Sequence, residues 1–228
     1  MPIHLQHEIE SLKKQILSLS AVVEENLRTA VTALTKRDYK LSKDVIEKDF
    51  EIDRSEVELE EECLKILALH QPVAIDLRFI IAVLKINNDL ERIGDEAVNI
   101  AERAAYLASK KDFRMEFRFD EMAEKTQFML KKSLDALVHF DAKMARNVCA
   151  LDDEVDEMNR DIFQRVKDAI RNQPANLDSY IHILGISRHL ERIADHTTNI
   201  AEDVIYMNEG VIIRHHMDSY PFGPDKEQ

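Results

Sequence analysis

Apolar residues recur at steps of three and four through the first part of the chain, at Ile9, Leu12, Ile16, Leu19, Val23, Leu27, Val31 and Leu34. That spacing lines them up on one face and predicts an amphipathic helix. Asp38 interrupts the pattern, and a second periodic run follows through Leu41, Val45, Ile52, Leu59, Cys63 and Ile66. Pro72 closes this run; a proline has no N–H to lose in a first helical turn, so Pro72 is read as opening a third helix that ends near Leu107. Helical periodicity is lost over residues 110–119, and the plan then repeats over residues 120–138, 141–172 and 174–207. Helices of about 30 residues are about 45 Å long, and three such rods joined by short turns bury their stripes by lying antiparallel. The expected architecture is all-α, with two tandem antiparallel three-helix bundles. The expected boundaries are 1–109 for the first bundle, 110–119 for a linker, 120–208 for the second bundle and 209–228 for a tail.

The two halves match residue by residue as well as in plan. Glu91-Arg-Ile-Gly-Asp-Glu-Ala-Val-Asn-Ile-Ala-Glu102 lies over Glu191-Arg-Ile-Ala-Asp-His-Thr-Thr-Asn-Ile-Ala-Glu202, with eight of twelve positions identical. Asp38, Asp49 and Asp53 lie over Asp141, Asp152 and Asp156 at the same internal spacing, and Gln71-Pro72 corresponds to Gln173-Pro174. Three markers in the same order identify an internal repeat.

Composition narrows the function. With 31 Lys and Arg against 44 Asp and Glu, the formal charge is −13, which argues against nucleic acid and against direct adhesion to anionic lipid. Four Gly and five Pro leave few turn positions, in keeping with long helices and without a Gly-rich phosphate loop. Cys63 and Cys149 stand apart among apolar neighbours and are read as reduced core thiols. The longest apolar run, residues 79–84, is far shorter than the roughly 20 residues of a membrane span. The expectation is a soluble, cytoplasmic protein.

The candidate chemistry lies in the repeated acids. At about 100° per residue, Glu91, Asp95, Asn99 and Glu102 share one stripe of the third helix, with the apolar Leu90, Ile93, Ala97, Ile100 and Ala104 expected on the far side. Glu191, Asp195, Asn199 and Glu202 form the matching row. Asp49 and Asp53, and likewise Asp152 and Asp156, are four residues apart on the preceding helix. Such rows usually form a solvated face. Here they recur in both halves, and like charges at this spacing repel without a cation between them. The reading is a pair of outward-facing sites for a hard, oxygen-preferring divalent or trivalent cation. No histidine follows an acid by three residues, so an oxygen-activating di-iron centre is not expected.

Lesser features have bland readings beside functional ones. Gly94 and Gly185 inside helices are read as points of close helix approach. Arg92 and Arg192 are read as ion pairs within a bundle, or as a handle for an acidic partner or for phosphate. His196 is a surface residue or an extra ligand, with Asp89 and Glu96 standing where the second repeat has His189 and His196. His215-His216 is an adventitious metal binder at most. Nothing assembles a nucleophile with a base, so no enzyme and no catalytic residue are expected.

At this level the motifs resemble a known family. A doubled three-helix plan, Asp-x-x-x-Asp pairs, Pro72-Val-Ala-Ile-Asp-Leu-Arg78, and Glu-Arg-x-x-Asp followed by Asn-Ile-Ala-Glu are similar to the PhoU family, as is the Tyr206…Gly210…Arg214-His215 ending. The second copy departs at Pro174-Ala-Asn-Leu-Asp-Ser-Tyr, which has no counterpart of Arg78. The resemblance implies a negative regulator of phosphate uptake and of the Pho regulon. Such a protein is an adaptor between the ATPase subunit of the Pst phosphate transporter and a PhoR-type sensor kinase, often as a homodimer. It also implies iron, manganese, magnesium or zinc held by Asp49, Asp53, Glu91, Asp95, Asp152, Asp156, Glu191 and Asp195, with Asn99, Glu102, Asn199 and Glu202 as further ligands. A metal-buffering helical protein with no part in phosphate signalling is the alternative. A hydrolase on carboxylate-bound metal is the weakest competitor.

Overall fold

The computed structural model describes residues 3–110, 113 and 119–213, which form helices and their short connections with no strand among them. The helices are α1 (Ile3–Lys36), α2 (Tyr39–His70), α3 (Ala74–Ser109), α4 (Asp120–His139), α5 (Ala142–Cys149), α6 (Asp152–Asn172) and α7 (Leu177–Glu209), with a 3-10 turn at Pro174–Asn176 before α7. Helices α1, α2 and α3 pack on one another, α4, α5 and α6 pack on α7, and α3 lies along α7 to join the two halves. The parts of the linker and tail at residues 111, 112, 114–118 and 214–228, including Arg214 and His215-His216, lie outside the described residues.

The predicted stripes are the buried ones, except that Val31 and Leu41 are half-buried. Leu12, Ile16, Leu19, Val23, Leu27 and Leu34 of α1 face Val45, Ile52, Leu59, Cys63 and Ile66 of α2, and all are buried. The breaks have local chemistry. Arg37 turns the chain with a left-handed φ of 52°, and the Asp38 carboxylate then accepts from the N–H groups of Lys40 (2.8 Å) and Leu41 (3.1 Å) at the start of α2. The second half repeats the device, with Phe140 at φ 53° and Asp141 accepting from the Met144 N–H at 2.9 Å. Asp38 and Asp141 are therefore helix caps, a role that stabilises a helix by about 1 kcal/mol.

Three elements differ from expectation. Pro72 does not open α3: Gln71 caps α2 in a left-handed conformation, Val73 is extended, and α3 begins at Ala74. The residue 141–172 helix is two helices, because Leu151 N–H reaches Val148 O and Glu154 N–H reaches Leu151 O, tightening one turn to i+3 spacing. Gly185 does not admit a helix backbone. A Cβ there would lie 2.3 Å from Nε of Arg103, so the glycine makes room for that side chain of α3. Gly94 behaves as expected, with Asp49 Oδ1 and Ile52 Cγ2 of α2 each 3.2 Å from where its Cβ would stand.

The α3–α7 seam is antiparallel and polar at its centre. Glu96 is buried between the imidazole of His189, against which it is hydrogen-bonded, and Arg192, whose Nη1 is 2.7 Å from Glu96 Oε1. Asp89 accepts from Asn199 Nδ2 at 3.1 Å and faces His196 Nδ1 at 2.8 Å. Outside this pair of contacts, Lys85 Nζ meets Asp203 Oδ1 at 3.0 Å, and the Tyr106 and His182 rings stack at 3.8 Å. Burial alone would push the Glu96 carboxyl up. The hydrogen bond from His189 and the charges of His189 and Arg192 outweigh burial and hold it below its ordinary range. Its contribution to stability is thus present at neutral pH and lost as pH falls through that lowered value. Glu96→Ala strands His189 and Arg192 at the seam and is expected to cost about 2–3 kcal/mol in urea unfolding at pH 7. A loss below about 0.5 kcal/mol would mean that the seam is held by apolar packing alone.

Candidate functional site

Eight of the twelve residues singled out in the sequence divide between two grooves, four in each repeat. The first lies between α2 and α3, the second between α6 and α7. They do not lie opposite the core. Helix α3 is packed by α1, α2 and α7 together and buries Ile93 and Ala97, Gly94, and Glu96 on successive faces. A helix enclosed on three sides has no free face opposite its core, so the acid row is pressed into the α2–α3 groove. Asp49, Glu91, Asp95 and Asn99 are half-buried there, while Asp53 and Glu102 are exposed. In the second repeat Asp152, Asp156, Glu191, Asn199 and Glu202 are half-buried and Asp195 is exposed.

Each groove gathers four carboxylates close enough to repel one another. Burial, then the charges of Asp53, Asp95 and Glu91, raise the Asp49 carboxyl from 3.8 to about 6. Burial, then Asp195 and Asp156, raise Asp152 from 3.8 to about 6. Glu91 is raised by burial and by Asp95, Glu191 by burial and by Asp156, and Asp195 by burial, Glu191 and Asp156. Asp95 is raised by burial and by Asp53 in spite of the nearby Arg92. The quartets Asp49/Asp53/Glu91/Asp95 and Asp152/Asp156/Glu191/Asp195 are thus electrostatic units, built from two helices each and matched between repeats.

The remaining candidates are placed differently. Asn99 Nδ2 donates to its own turn at Asp95 O (3.0 Å), and the Asn199 amide is engaged with Asp89 in the seam. Glu202 lies by α5, where burial and then the Glu202 charge raise the Cys149 thiol to about 12. Arg192 is the ion pair with Glu96, Arg92 Nε is 3.5 Å from Glu91 Oε2, and His196 faces Asp89. Arg78 lies on the C-terminal end of α7: a Cβ at Gly210, whose φ is 72°, would be 2.9 Å from its Nη1. Among the described residues, no three His, Cys, Asp or Glu side chains are drawn together around one point as a formed metal cage. The quartets are open sets of hard oxygen donors rather than closed shells.

Sequence reasoning missed the seam. Its signal was present in the exchange of acid for histidine at matched positions, Asp89 for His189 and Glu96 for His196.

Taken together, the fold and the two grooves define a duplicated helical-bundle protein with paired carboxylate quartets, and among the described residues no helix is long and apolar enough to cross a membrane. Residues 16–104 and 119–204 each match the PhoU domain, and the chain belongs to the PhoU family. It is 38% identical over 208 residues to a phosphate-specific transport system accessory protein PhoU homolog of Aquifex aeolicus, covering 91% of this chain and 94% of that one. A Pseudomonas aeruginosa homolog of the same description is 37% identical, covering 91% and 86%. The crystal structure of PhoU from Pseudomonas aeruginosa superposes with a TM-score of 0.87 at 36% identity, over 90% of this chain and 99% of that one. The phosphate transport system regulatory protein PhoU from Streptococcus pneumoniae gives 0.85 at 28% identity, over 91% and 98%.

The raised carboxyls fix a pH dependence. A carboxyl whose folded pKa lies above its unfolded value favours the fold while protonated, and this contribution disappears as pH rises through the folded value. Stability from Asp49 and Asp152 is therefore full below about pH 4 and lost by pH 6–7. Asp49→Asn is expected to raise Tm in chelator at pH 7.5 by about 2–4 °C, corresponding to about 1 kcal/mol after discounting for solvent screening. At pH 4 it is expected to leave Tm unchanged. A lower Tm at pH 7.5 would show that Asp49 is not under electrostatic stress.

Proposed function

We propose that this chain is a negative regulator of phosphate uptake and of the Pho regulon, acting as an adaptor between the Pst transporter and a PhoR-type sensor kinase. The observation that carries this reading is the match of both repeats to the PhoU domain. Relatives that align with nine-tenths of the chain are named for the phosphate-specific transport system. A rigid double bundle offers two large related faces, which suits a protein that joins others rather than one that turns over a substrate. Deletion of the gene is expected to leave alkaline phosphatase and phosphate uptake high when phosphate is plentiful, and complementation to restore repression. Unchanged repression in the deletion strain would overturn the regulator.

The grooves are proposed as cation sites. Clustered carboxylates are a donor set suited to a hard cation, which on binding supplies positive charge and relieves their repulsion. Asp49, Asp53, Glu91 and Asp95 would hold one ion, and Asp152, Asp156, Glu191 and Asp195 another. Iron, manganese, magnesium and zinc are the candidates. Side-chain rotation within the open quartets is required, since no closed cage stands among the described residues. Adding Mn²⁺ at about 100 times its Kd should stabilise the chain at pH 7.5 by about 2.7 kcal/mol per site. The same addition to a variant with Asn or Gln at all eight positions should leave Tm unmoved. An equal shift in both proteins would remove the eight acids as ligands.

A further inference from the structure

The outer face of α2 carries an apolar row that nothing among the described residues covers. Phe50, Val57 and Leu64 are spaced by seven residues and are 78%, 51% and 53% exposed. They project opposite the buried row of Val45, Ile52, Leu59 and Ile66, so no rearrangement of the bundle can bury both. The row is about 21 Å long at 1.5 Å per residue, four helical turns. A residue repeating every seven positions meets a partner helix along a continuous seam.

The flanks of this row say what fits it. Glu47, Asp53, Glu60 and Glu61 border it, all exposed, while the nearby basic residues Arg54 and Lys65 are already engaged, Arg54 with Glu58 at 3.6 Å and Lys65 with Glu62 at 3.1 Å. A second copy is a poor occupant. Antiparallel self-pairing centred on Val57 sets Asp53 opposite Glu61 on both sides, and parallel pairing brings the acidic flanks of the two copies together. In the second repeat the matching positions are Asp153, Arg160 and Lys167, all exposed and polar, so the row belongs to one half of the molecule only.

We propose that the Phe50–Val57–Leu64 face of α2 docks an amphipathic helix of a partner protein, with an apolar row every seven residues and Lys or Arg on its flanks. This names a contact surface for the adaptor reading and rests on it for a partner, while its chemistry stands on α2 alone. The probe is a fluorescent three-heptad peptide with Leu in the seam and Lys at the flanks, titrated by anisotropy at about 0.15 M salt, where charges more than about 8 Å apart are screened. Binding to the intact chain is expected to weaken at least tenfold in the Phe50→Gln/Val57→Gln/Leu64→Gln variant. It should persist in Asp153→Gln/Arg160→Gln/Lys167→Gln, and a Leu–Glu peptide should not bind. These are exposed positions, so both variants should keep wild-type helicity and Tm.

Equal binding to the intact chain and the α2 variant, or no binding to either, would overturn the proposal. So would sedimentation that finds a dimer dissolved by the α2 substitutions, since a second copy would then cover the face. A deletion strain that is fully repressed removes the regulator and leaves this peptide measurement unaffected. An α2 variant that loses the peptide but restores repression overturns only this surface as the adaptor's contact.

Discussion

Two copies of one unit that pack through the same helix face a symmetry problem. In the antiparallel α3–α7 pair, position 89 meets 196 and position 96 meets 189, so a faithful copy of the first repeat would bury Asp89 against a second glutamate. The chain replaces both second-repeat acids with histidine and places Arg192 beside Glu96. The outer positions follow the same rule. Lys85 opposite a copy of Arg103 would repel, and the chain has Asp203 there instead. At the mirrored contact Gly185 replaces a lysine and leaves room for Arg103. A buried acid left without its partner costs several kcal/mol, so these four exchanges keep the two halves in one register.

The same helices carry the quartets on their other flank, and there all eight acids match between the repeats, although Glu56, which also raises Glu91, is matched by Asn159. Burial and neighbouring carboxylates raise Asp49, Glu91 and Asp95 in one groove and Asp152, Glu191 and Asp195 in the other, which works against the fold at neutral pH. One exchange to Asn or Lys in each groove would have relieved that stress, as exchanges at the seam did. That the stress is kept twice at matched positions, beside a seam where it was removed twice, separates the grooves from ordinary solvated surface. The seam also fixes the grooves in space, since Asp89, Glu96, His189 and Arg192 stand within two or three residues of the acids that line them.

Much of this was legible in the sequence. The helices are long, amphipathic and bounded by residues with clear local chemistry, so periodicity located them and the aspartates at positions 38 and 141 marked their starts. The break at Ala150 and Leu151 left no such mark: neither residue is Gly or Pro, and the turn tightens through backbone hydrogen bonds alone. The acids were found, but their setting was not. A helical wheel divides a helix into one buried and one open side, and α3 has neighbours on three. Which residue of α3 meets which residue of α7 is a matter of register between distant segments, and periodicity along either helix is silent on that.

Comparing repeats therefore sorts the residues by the constraint acting on them. Positions that agree, such as Asp49 with Asp152 and Glu91 with Glu191, answer to a groove present in both halves. Positions that differ in complementary fashion, such as Glu96 with His196, answer to the partner repeat across the seam. Positions that differ without complement answer to neither. Phe50, Val57 and Leu64 against Asp153, Arg160 and Lys167 are of this third kind, and they lie on the outer faces of α2 and α6, beside the groove acids and away from the seam. Among the described residues no contact accounts for three exposed apolar side chains in line, and a constraint from outside the fold, such as the proposed partner helix, would give the outer faces this asymmetry.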